Sequence, residues 1–353
     1  MKVLIINSGS SSIKYKLFDM PKEALISKGI IEHIGEKGSK VINHHSGLEM
    51  ILDKIDGVEL VGHRVVHGAE EFRRPVLIDD NVIHKIKQCC AIAPLHNPAN
   101  LTGILACKKL LPGIKQVAVF DTAFHQTLPA YAYIYGLPYY YYQKFGIRKY
   151  GFHGTSHEYV AHEAGRILKK PLSRLKIITC HLGNGCSITA VNKGKSVDTS
   201  MGFTPLEGLV MGTRCGDIDP ALVTHIMHQQ QLTPGQMEKL LNKESGLKGI
   251  SGISNDMRML DAAARSGNKR ARLALDIFIY RIKKYIGAYT AAMAGCDVLV
   301  FTAGIGENQK NIRDKVCVGI FAHLKIKPRV LVIPTNEELM IARKAMQLIK
   351  ETR

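Results

Sequence analysis

The chain has 353 residues, more than one typical domain and about right for two. With 46% hydrophobic and 22% charged residues it is composed as a globular protein with a full core, and no apolar run approaches the roughly 20 residues of a transmembrane helix, which sets a membrane role aside. The net charge of +18 raises nucleic acid as a partner, but the lysines and arginines are dispersed and form no nucleic-acid module, so the basic balance is read as suited to small anionic substrates.

The first element is a strand, Val3-Leu4-Ile5-Ile6, with no signal-peptide pattern before it, which implies the cytoplasm. It runs into Asn7-Ser8-Gly9-Ser10-Ser11-Ser12 and then into Ile13-Lys14-Tyr15-Lys16-Leu17, whose alternation predicts a second, half-exposed strand and hence a hairpin. A Gly/Ser turn can aim N–H and O–H donors at an anion such as phosphate, and Lys14 sits one position beyond it. An ordinary polar hairpin is the plain alternative, and no G-x-x-x-x-G-K-[ST] loop occurs anywhere. Eight cysteines without a C-x-x-C pair fit a reducing compartment.

Asn97, with Pro98 behind it, predicts a capped helix to about Leu110. "QVAVFDTAFH", residues 116–125, reads as a strand ending in small polar residues. The run Tyr139 to Tyr142 reads as packing, in a core or an interface, rather than chemistry. Thr155 or Ser156 is placed to cap a helix reaching Lys169. Within it "HEYVAH" resembles a zinc motif, but His157 and His162 are five apart and point about 140° apart on a helix.

"LKIITCHLGNGCSITAVNKGK", residues 175–195, repeats the opening hairpin design, and "DVLVFTAGIGEN", residues 297–308, repeats 116–125. A long helix is expected from Asn268 to Ala294, with Leu273, Ile277, Tyr280, Tyr285 and Tyr289 as its buried stripe. Both repeats recur after about 175 to 180 residues. We therefore expect two related α/β domains, each with a Gly/Ser hairpin, turned toward one cleft.

Taken together, "NSGSSSIKY", "GHRVVHG", "FDTAFH", "YGFHGTSH", "HLGNG", "TSMGFTPLEGLVMGTRCGDIDP", "GISNDMR", "GIGEN" and "IPTNEEL" resemble the acetate kinase family, in family order and over essentially the whole chain. The resemblance implies two duplicated ribonuclease H-like domains with an interdomain ATP cleft, the actin-like ATPase fold. The first would comprise residues 1–122 plus about 338–353, the second about 123–337. It implies transfer from ATP to acetate, giving acetyl phosphate and ADP, with Mg2+ or Mn2+, in a homodimer without nucleic acid or membrane. A propionate or other short-chain acyl kinase is the nearest alternative, because one methylene changes affinity by only about 1–3 kcal/mol. A non-catalytic member of the superfamily is the other.

By the same resemblance, Asn7 and Glu337 belong to the metal site, where oxygen donors suit a hard cation. Lys14 contacts ATP phosphate. Arg64 holds the substrate carboxylate, which a guanidinium fork matches bidentately. His153 and Arg214 stabilise the transition state, with His96 a further candidate. Asp121 matches the family's catalytic aspartate, described as a proton donor or acceptor. A carboxylic acid substrate is already ionised at neutral pH, however, so Asp121 can equally order metal-bound waters or orient Arg64 and His153. The ATP-binding elements correspond to His181, Leu182, Gly183, Asn184 and Gly185, to Asp256, Met257 and Arg258, and to Gly304, Ile305, Gly306, Glu307 and Asn308. Val66, Leu95, Phe152 and Pro205 resemble the acyl pocket.

The chain departs from the family pattern in two connections, each shorter by roughly two dozen residues, beyond ordinary loop variation. One lies between Lys14 and Arg64, the other between Asn308 and Thr335. Cys215 stands for a usual serine, and Ala69 and Ala303 for usual glycines. These changes bear on stability, nucleotide affinity and dimer contacts rather than on reaction type.

Overall fold

The computed structural model describes residues 1–352 apart from Leu95, His323 and Ile326. The chain divides into two compact units, one of residues 1–126, 154–156 and 336–353, the other of residues 127–153 and 157–335. Each is built on a mixed sheet.

In the first unit the strands are β1 (Lys2–Ser8), β2 (Ile13–Asp19), β3 (Ala24–Ile31), β4 (Leu60–Val65), β5 (Val76–Leu77) and β6 (Lys115–Phe120), in the order β3-β2-β1-β4-β6-β5. β1 and β2 pair antiparallel from Lys2 opposite Asp19 to Ser8 opposite Ile13, while β4 runs parallel to β1 and β6 parallel to β4. The unbroken apolar run of β1 is needed because both faces of the strand are covered. Leu4 and Ile6 pack with Leu48, Ile51 and Cys107 from the helices His44–Leu52 and Asn97–Leu110. The helix Glu337–Glu351 buries Ile341, Ala342 and Ala345 in the same unit.

The second unit contains β7 (Lys176–Leu182), β8 (Cys186–Asn192), β9 (Lys195–Thr199), β10 (Val298–Thr302) and β11 (Arg329–Val332), in the order β11-β10-β7-β8-β9. β7, β8 and β9 form an antiparallel meander, and β10 and β11 are parallel to β7. The two sheets therefore repeat one five-strand pattern. The match corrects one detail of the expected duplication. β10 occupies the place of β4, and β6 that of β11, so residues 297–308 are not the counterpart of 116–125. Neighbouring parallel strands buried on both faces read alike, as apolar runs ending in polar loops, and similar spacing alone does not tell them apart.

Helix boundaries also move. Asn97 lies inside the first turn and His96 is the cap position. Asn97 is fully buried, where its amide accepts from His67 N at 3.0 Å and donates to His67 O at 2.9 Å. Neither Thr155 nor Ser156 caps the helix Gly154–Leu168, and both are buried in its first turn. The long helix spans Lys269–Ala292, capped by Asn268. Its buried face includes Ala271, Ala274, Leu275, Phe278, Ile282, Ile286 and Tyr289, so Tyr289 of the expected stripe is buried, Ile277 and Tyr285 are half-buried, and Leu273 and Tyr280 are exposed. Apolar residues on both sides of this helix offer two stripes, and packing buries chiefly the one not expected. His157 is buried and His162 exposed, so the two do not share a face. All eight cysteines are free thiols. No helix among the described residues is long and apolar enough to cross a membrane.

Ala69 and Ala303 both hold left-handed backbone, with φ of 49° and 64°. A Cβ in that region costs about 1–2 kcal/mol, part of which glycine returns as chain entropy in the unfolded state. Ala303→Gly is therefore expected to raise stability by about 0.5–1 kcal/mol, read as a higher urea midpoint at unchanged slope. A lower midpoint would refute the strain.

Candidate active site

The first unit gathers polar side chains at the carboxyl ends of its parallel strands, where ligands bind in sheets of this kind. Asn7 lies at the end of β1 opposite Lys14 of β2, so the two share a face. Arg64 lies near the end of β4, and Asp121 follows β6 directly. Asp121 is buried, and its backbone is fixed on both sides. Its N–H donates to Val65 O at 3.0 Å, and its carbonyl accepts from Gly154 N at 3.0 Å. Gly154 has no substitute here, because a Cβ would stand 2.1 Å from that carbonyl oxygen.

The Asp121 carboxylate takes one edge of the Arg64 guanidinium, from Nε at 3.1 Å and Nη2 at 2.6 Å. Burial opposes the arginine's charge, but Asp121 and then Glu337 outweigh it and hold Arg64 above its ordinary value. Nη1 lies on the other edge of the fork, and among the described residues it makes no hydrogen bond. Glu337 opens the helix Glu337–Glu351, with its carboxylate 3.6 Å from Arg64 Nε. Asn336 caps that helix by accepting from Leu339 N, and Lys16 ties the turn down through Asn336 at 3.2 Å and Glu338 at 2.9 Å.

Burial pushes the Glu337 carboxyl up to about 7 from 4.5, with Arg64 opposing the rise and Asp121 adding to it. A folded-state value above the unfolded one gives stability that is present below about 4.5 and lost as pH rises through about 7. Metal-free Glu337→Gln, which mimics the protonated form, is expected to match the parent near pH 4.5 and to melt higher at pH 8. Melting curves in chelator that show no such divergence would exclude it. A half-buried carboxylate held against its own charge, with the Asn7 amide in the same unit, supplies oxygen donors of the kind a hard divalent cation keeping several waters takes.

In the second unit the glycine loop 183–185 joins β7 to β8. His153, the cap residue of the helix Gly154–Leu168, has φ of 56°, a strained conformation for a β-carbon residue. Its ring stacks on His181 with centroids 4.1 Å apart. A Cβ at Gly185 would lie 3.4 Å from Arg214 Nη1 and 3.5 Å from His153 Cε1, so the guanidinium and the imidazole edge both face that loop. Arg214 Nη1 donates to Pro205 O at 3.3 Å, and among the described residues no carboxylate pairs with it. Burial lowers the Arg214 pKa from its ordinary value. A half-buried guanidinium without a counter-ion is a site prepared for an anion.

A cavity of about 600 Å³ adjoins the same loop, lined by Gly183, Asn184, Asn255, Asp256, Met257, Arg258, Gly304, Ile305, Asn308 and Gln309. Three sequence segments far apart in the chain thus meet around one space. Asn184 accepts from Asn255 at 2.9 Å. Its amide fits because residue 212 is glycine, whose Cβ would fall 2.1 Å from Asn184 Oδ1. Asp256 caps the helix Met257–Arg265, and the Arg258 guanidinium holds its carboxyl down to about 2. That carboxylate is occupied as a brace for Arg258.

Not every expected site residue meets this cavity. His181, Leu182, Gly185, Gly306 and Glu307 do not line it. Glu307 instead accepts from Ala303 N at 2.8 Å and Thr335 N at 3.2 Å, closing its own loop. Lys14 and Val66 belong to the first unit, and Phe152 and Pro205 to the second. Leu95 lies outside the described residues. Asn255 and Gln309 were not singled out from the sequence, although each adjoins a recognised segment.

The sequence profile of the acetokinase family matches residues 2–326. An acetate kinase of Halothermothrix orenii is 51% identical over 397 residues, covering 99% of this chain and 100% of that protein. One of Methanosarcina acetivorans is 51% identical, with 99% and 97% covered. Alignments longer than the 353-residue chain mean that these relatives carry segments this chain lacks. Among solved structures, Porphyromonas gingivalis acetate kinase matches with a TM-score of 0.93 at 44% identity, covering 99% of each chain. A propionate kinase from Francisella tularensis matches with 0.93 at 41%, covering 98% of this chain and 99% of that one. A ROK hexokinase of Thermus thermophilus, at 0.50 and 14% identity, shares the fold alone. With a profile spanning nearly its whole length and relatives half identical from end to end, this chain belongs to the acetokinase family.

Proposed function

We propose that this protein is an acetate kinase, moving a phosphoryl group reversibly between ATP and acetate to give ADP and acetyl phosphate. The observation that carries the reading is Arg214, a half-buried guanidinium without a carboxylate partner, facing the glycine loop beside His153. A binder has little use for such a pair. A phosphoryl transfer needs positive charge and N–H donors around the equatorial oxygens, and little else.

The parts follow from the chemistry. Arg64, aimed by Asp121, holds acetate through its remaining edge. One carboxylate oxygen attacks the γ-phosphorus as the bond to the ADP oxygen breaks, and no proton need move. Arg214 and His153 take the charge that spreads over the transferred group. Asn184, Arg258, Gly304 and Asn308 line the cavity assigned to the nucleotide, and Lys14 is assigned to its phosphates. Asn7 and Glu337 would hold Mg2+ or Mn2+, which when bound neutralises phosphate charge. Val66, Phe152 and Pro205 are assigned to the acyl methyl. The two units are proposed as the two ribonuclease H-like domains, with the chain passing from the first to the second after residue 126 and returning to the first at residue 336.

The deciding assay mixes protein, Mg2+, ATP and acetate or propionate with hydroxylamine and detects the acyl hydroxamate. No product with any short acid overturns the reading, and a higher kcat/KM for propionate transfers it to that acid.

Two further assignments belong to the same proposal. The free thiols fit a reducing cytoplasm. Tyr131, Leu137, Tyr139, Tyr140, Tyr141 and Phe145 are exposed, a mostly aromatic apolar set within residues 131–145, while Tyr142 of the tyrosine run is half-buried. We assign them to contact with a second copy. Sedimentation is expected to show a dimer that Tyr140→Glu weakens, and a monomeric parent would remove the assignment.

A further inference from the structure

We infer that Glu207 is a positioning residue for the reaction: it ties down the limb of chain that carries Pro205, and the Pro205 carbonyl in turn aims Arg214 at the glycine loop. The inference rests on the acetate kinase reading for its kinetic consequence, but not for its structural one.

Residues 200–220, between β9 and the helix Ala221–Gln230, hold neither helix nor strand. A connection of that length without its own ladder is uncommon, and its backbone groups must find partners one by one. Two carboxylates hold it. Asp217 closes the base, accepting from Gly208 N at 2.8 Å and from Tyr285 OH at 2.7 Å. Glu207 holds the other limb. Its Oε1 accepts from Lys149 Nζ at 2.5 Å, and its Oε2 accepts from the Tyr135 hydroxyl. That hydroxyl also accepts from Phe203 N at 2.8 Å, so one phenol fastens the limb at residues 203 and 207 together. Beside it, Gly202 O accepts from Tyr150 N and Gly151 N, each at 3.1 Å. A Cβ at Gly202 would stand 1.7 Å from Glu207 Oε2, so only glycine lets the tie close.

An ammonium and a backbone amide can only donate, and a carboxylate can only accept. The Tyr135 phenol therefore accepts from Phe203 and spends its one hydrogen on Glu207. Burial first, and the Glu207 charge next, hold Tyr135 above its ordinary value and keep that hydrogen in place.

Pro205 lies midway between the two fastened residues. Its ring fixes φ, so the direction of its carbonyl is set by where residues 203 and 207 are held. Among the described residues that carbonyl is the one oxygen the Arg214 guanidinium hydrogen-bonds, from Nη1 at 3.3 Å. Met211 Sδ, 3.8 Å from the same nitrogen, is a weak acceptor. With no carboxylate fork to grip it, the guanidinium takes its direction from the Pro205 bond. The same Nη1 lies 3.4 Å from where a Cβ at Gly185 would stand. Glu207 thus acts on Arg214 through Pro205 and need not touch the phosphoryl group. The Glu207 side chain is 33% exposed, so its ion pair adds little stability by itself. Its loss is expected in kcat before it is expected in the melting temperature.

The test compares the full chain with Glu207→Gln, which offers one carbonyl oxygen to two donors and turns an NH2 toward one of them. Hydrogen exchange read by mass spectrometry, without ligands, is expected to quicken about fivefold or more in peptides within residues 202–214 and to stay unchanged in β7 and β8. At saturating acetate, kcat should fall about tenfold or more, the scale of a displaced group beside reacting atoms, while the KM for ATP stays within about twofold. In an Arg214→Ala background Glu207→Gln should lower kcat no further, because the group it aims is gone. Tyr135→Phe, which keeps the ring and loses the hydroxyl, should repeat these results, and it carries the test if Glu207→Gln does not fold. Unchanged exchange within residues 202–214 overturns the tie, and unchanged kcat overturns the positioning role. So does an equal fold-loss in both backgrounds, which would mark a general packing defect. Absence of hydroxamate from the parent would overturn the kinase reading instead, with the exchange result untouched.

Discussion

Arg214→Ala is expected to lower kcat by about a thousandfold while moving the KM for ATP only slightly, because the guanidinium is assigned to charge that appears in the transferring group and not to the ground state. The structure adds a second half to this expectation. Arg214 is half-buried, its charge is disfavoured by burial, and among the described residues no carboxylate pairs with it. Its removal leaves no orphaned counter-charge behind, so the melting temperature should hold or rise slightly. A residue that costs stability and is kept for chemistry behaves in this way. Steady-state kinetics with a melting curve read both halves. Unchanged kcat would remove Arg214 from the transition state, and a large drop in melting temperature would contradict its lack of a carboxylate partner.

Asp121→Asn should behave in the opposite manner. The carboxylate is 1% exposed and is bonded to Arg64 through both Nε and Nη2. An amide can accept on one side only and turns its NH2 toward a guanidinium. Breaking a buried pair from one side costs about 3–5 kcal/mol. The variant is therefore expected to lose stability of that order, and Arg64, no longer aimed, to raise the acetate KM far more than the ATP KM. This pattern separates two roles for the aspartate. Were Asp121 to carry a proton in the reaction, kcat would fall with the acetate KM unchanged. The hydrogen bonds favour the orienting role, and the ionised state of the substrate gives a proton carrier nothing to do.

These two residues also show how much was legible beforehand. Both came from the sequence as candidates through the resemblance of "GTRCGD" and "FDTAFH" to the motifs of the family. What separates them, a counter-charge for one and, among the described residues, none for the other, is a tertiary fact. The hairpins β1–β2 and β7–β8 were legible for a local reason: an apolar run, a Gly/Ser turn and an alternating run are written in consecutive residues. The helix Lys269–Ala292 was legible in extent but not in orientation, because Leu273 and Tyr280 compose as good a stripe as Leu275, Phe278 and Ile282. Asn97 looked like a cap and became a buried clasp on the His67 backbone, a partner thirty residues away. The tie at Glu207 was invisible for the same reason. Tyr135 and Glu207 lie 72 residues apart, and nothing short of the fold joins them.

The margin of the second sheet has a practical consequence. β11 has four residues, sits at the outer position of its sheet, and leaves Val330 and Val332 largely uncovered. It lies within the stretch between Asn308 and Thr335, one of the two connections expected from the sequence to be shorter than the family pattern. An open strand of this kind is a template for cross-β self-association, held in check here by its brevity and by Arg329 at its start. Warm or concentrated preparations should gel from this margin first, and a lysine at position 330 is the simplest gatekeeper against it.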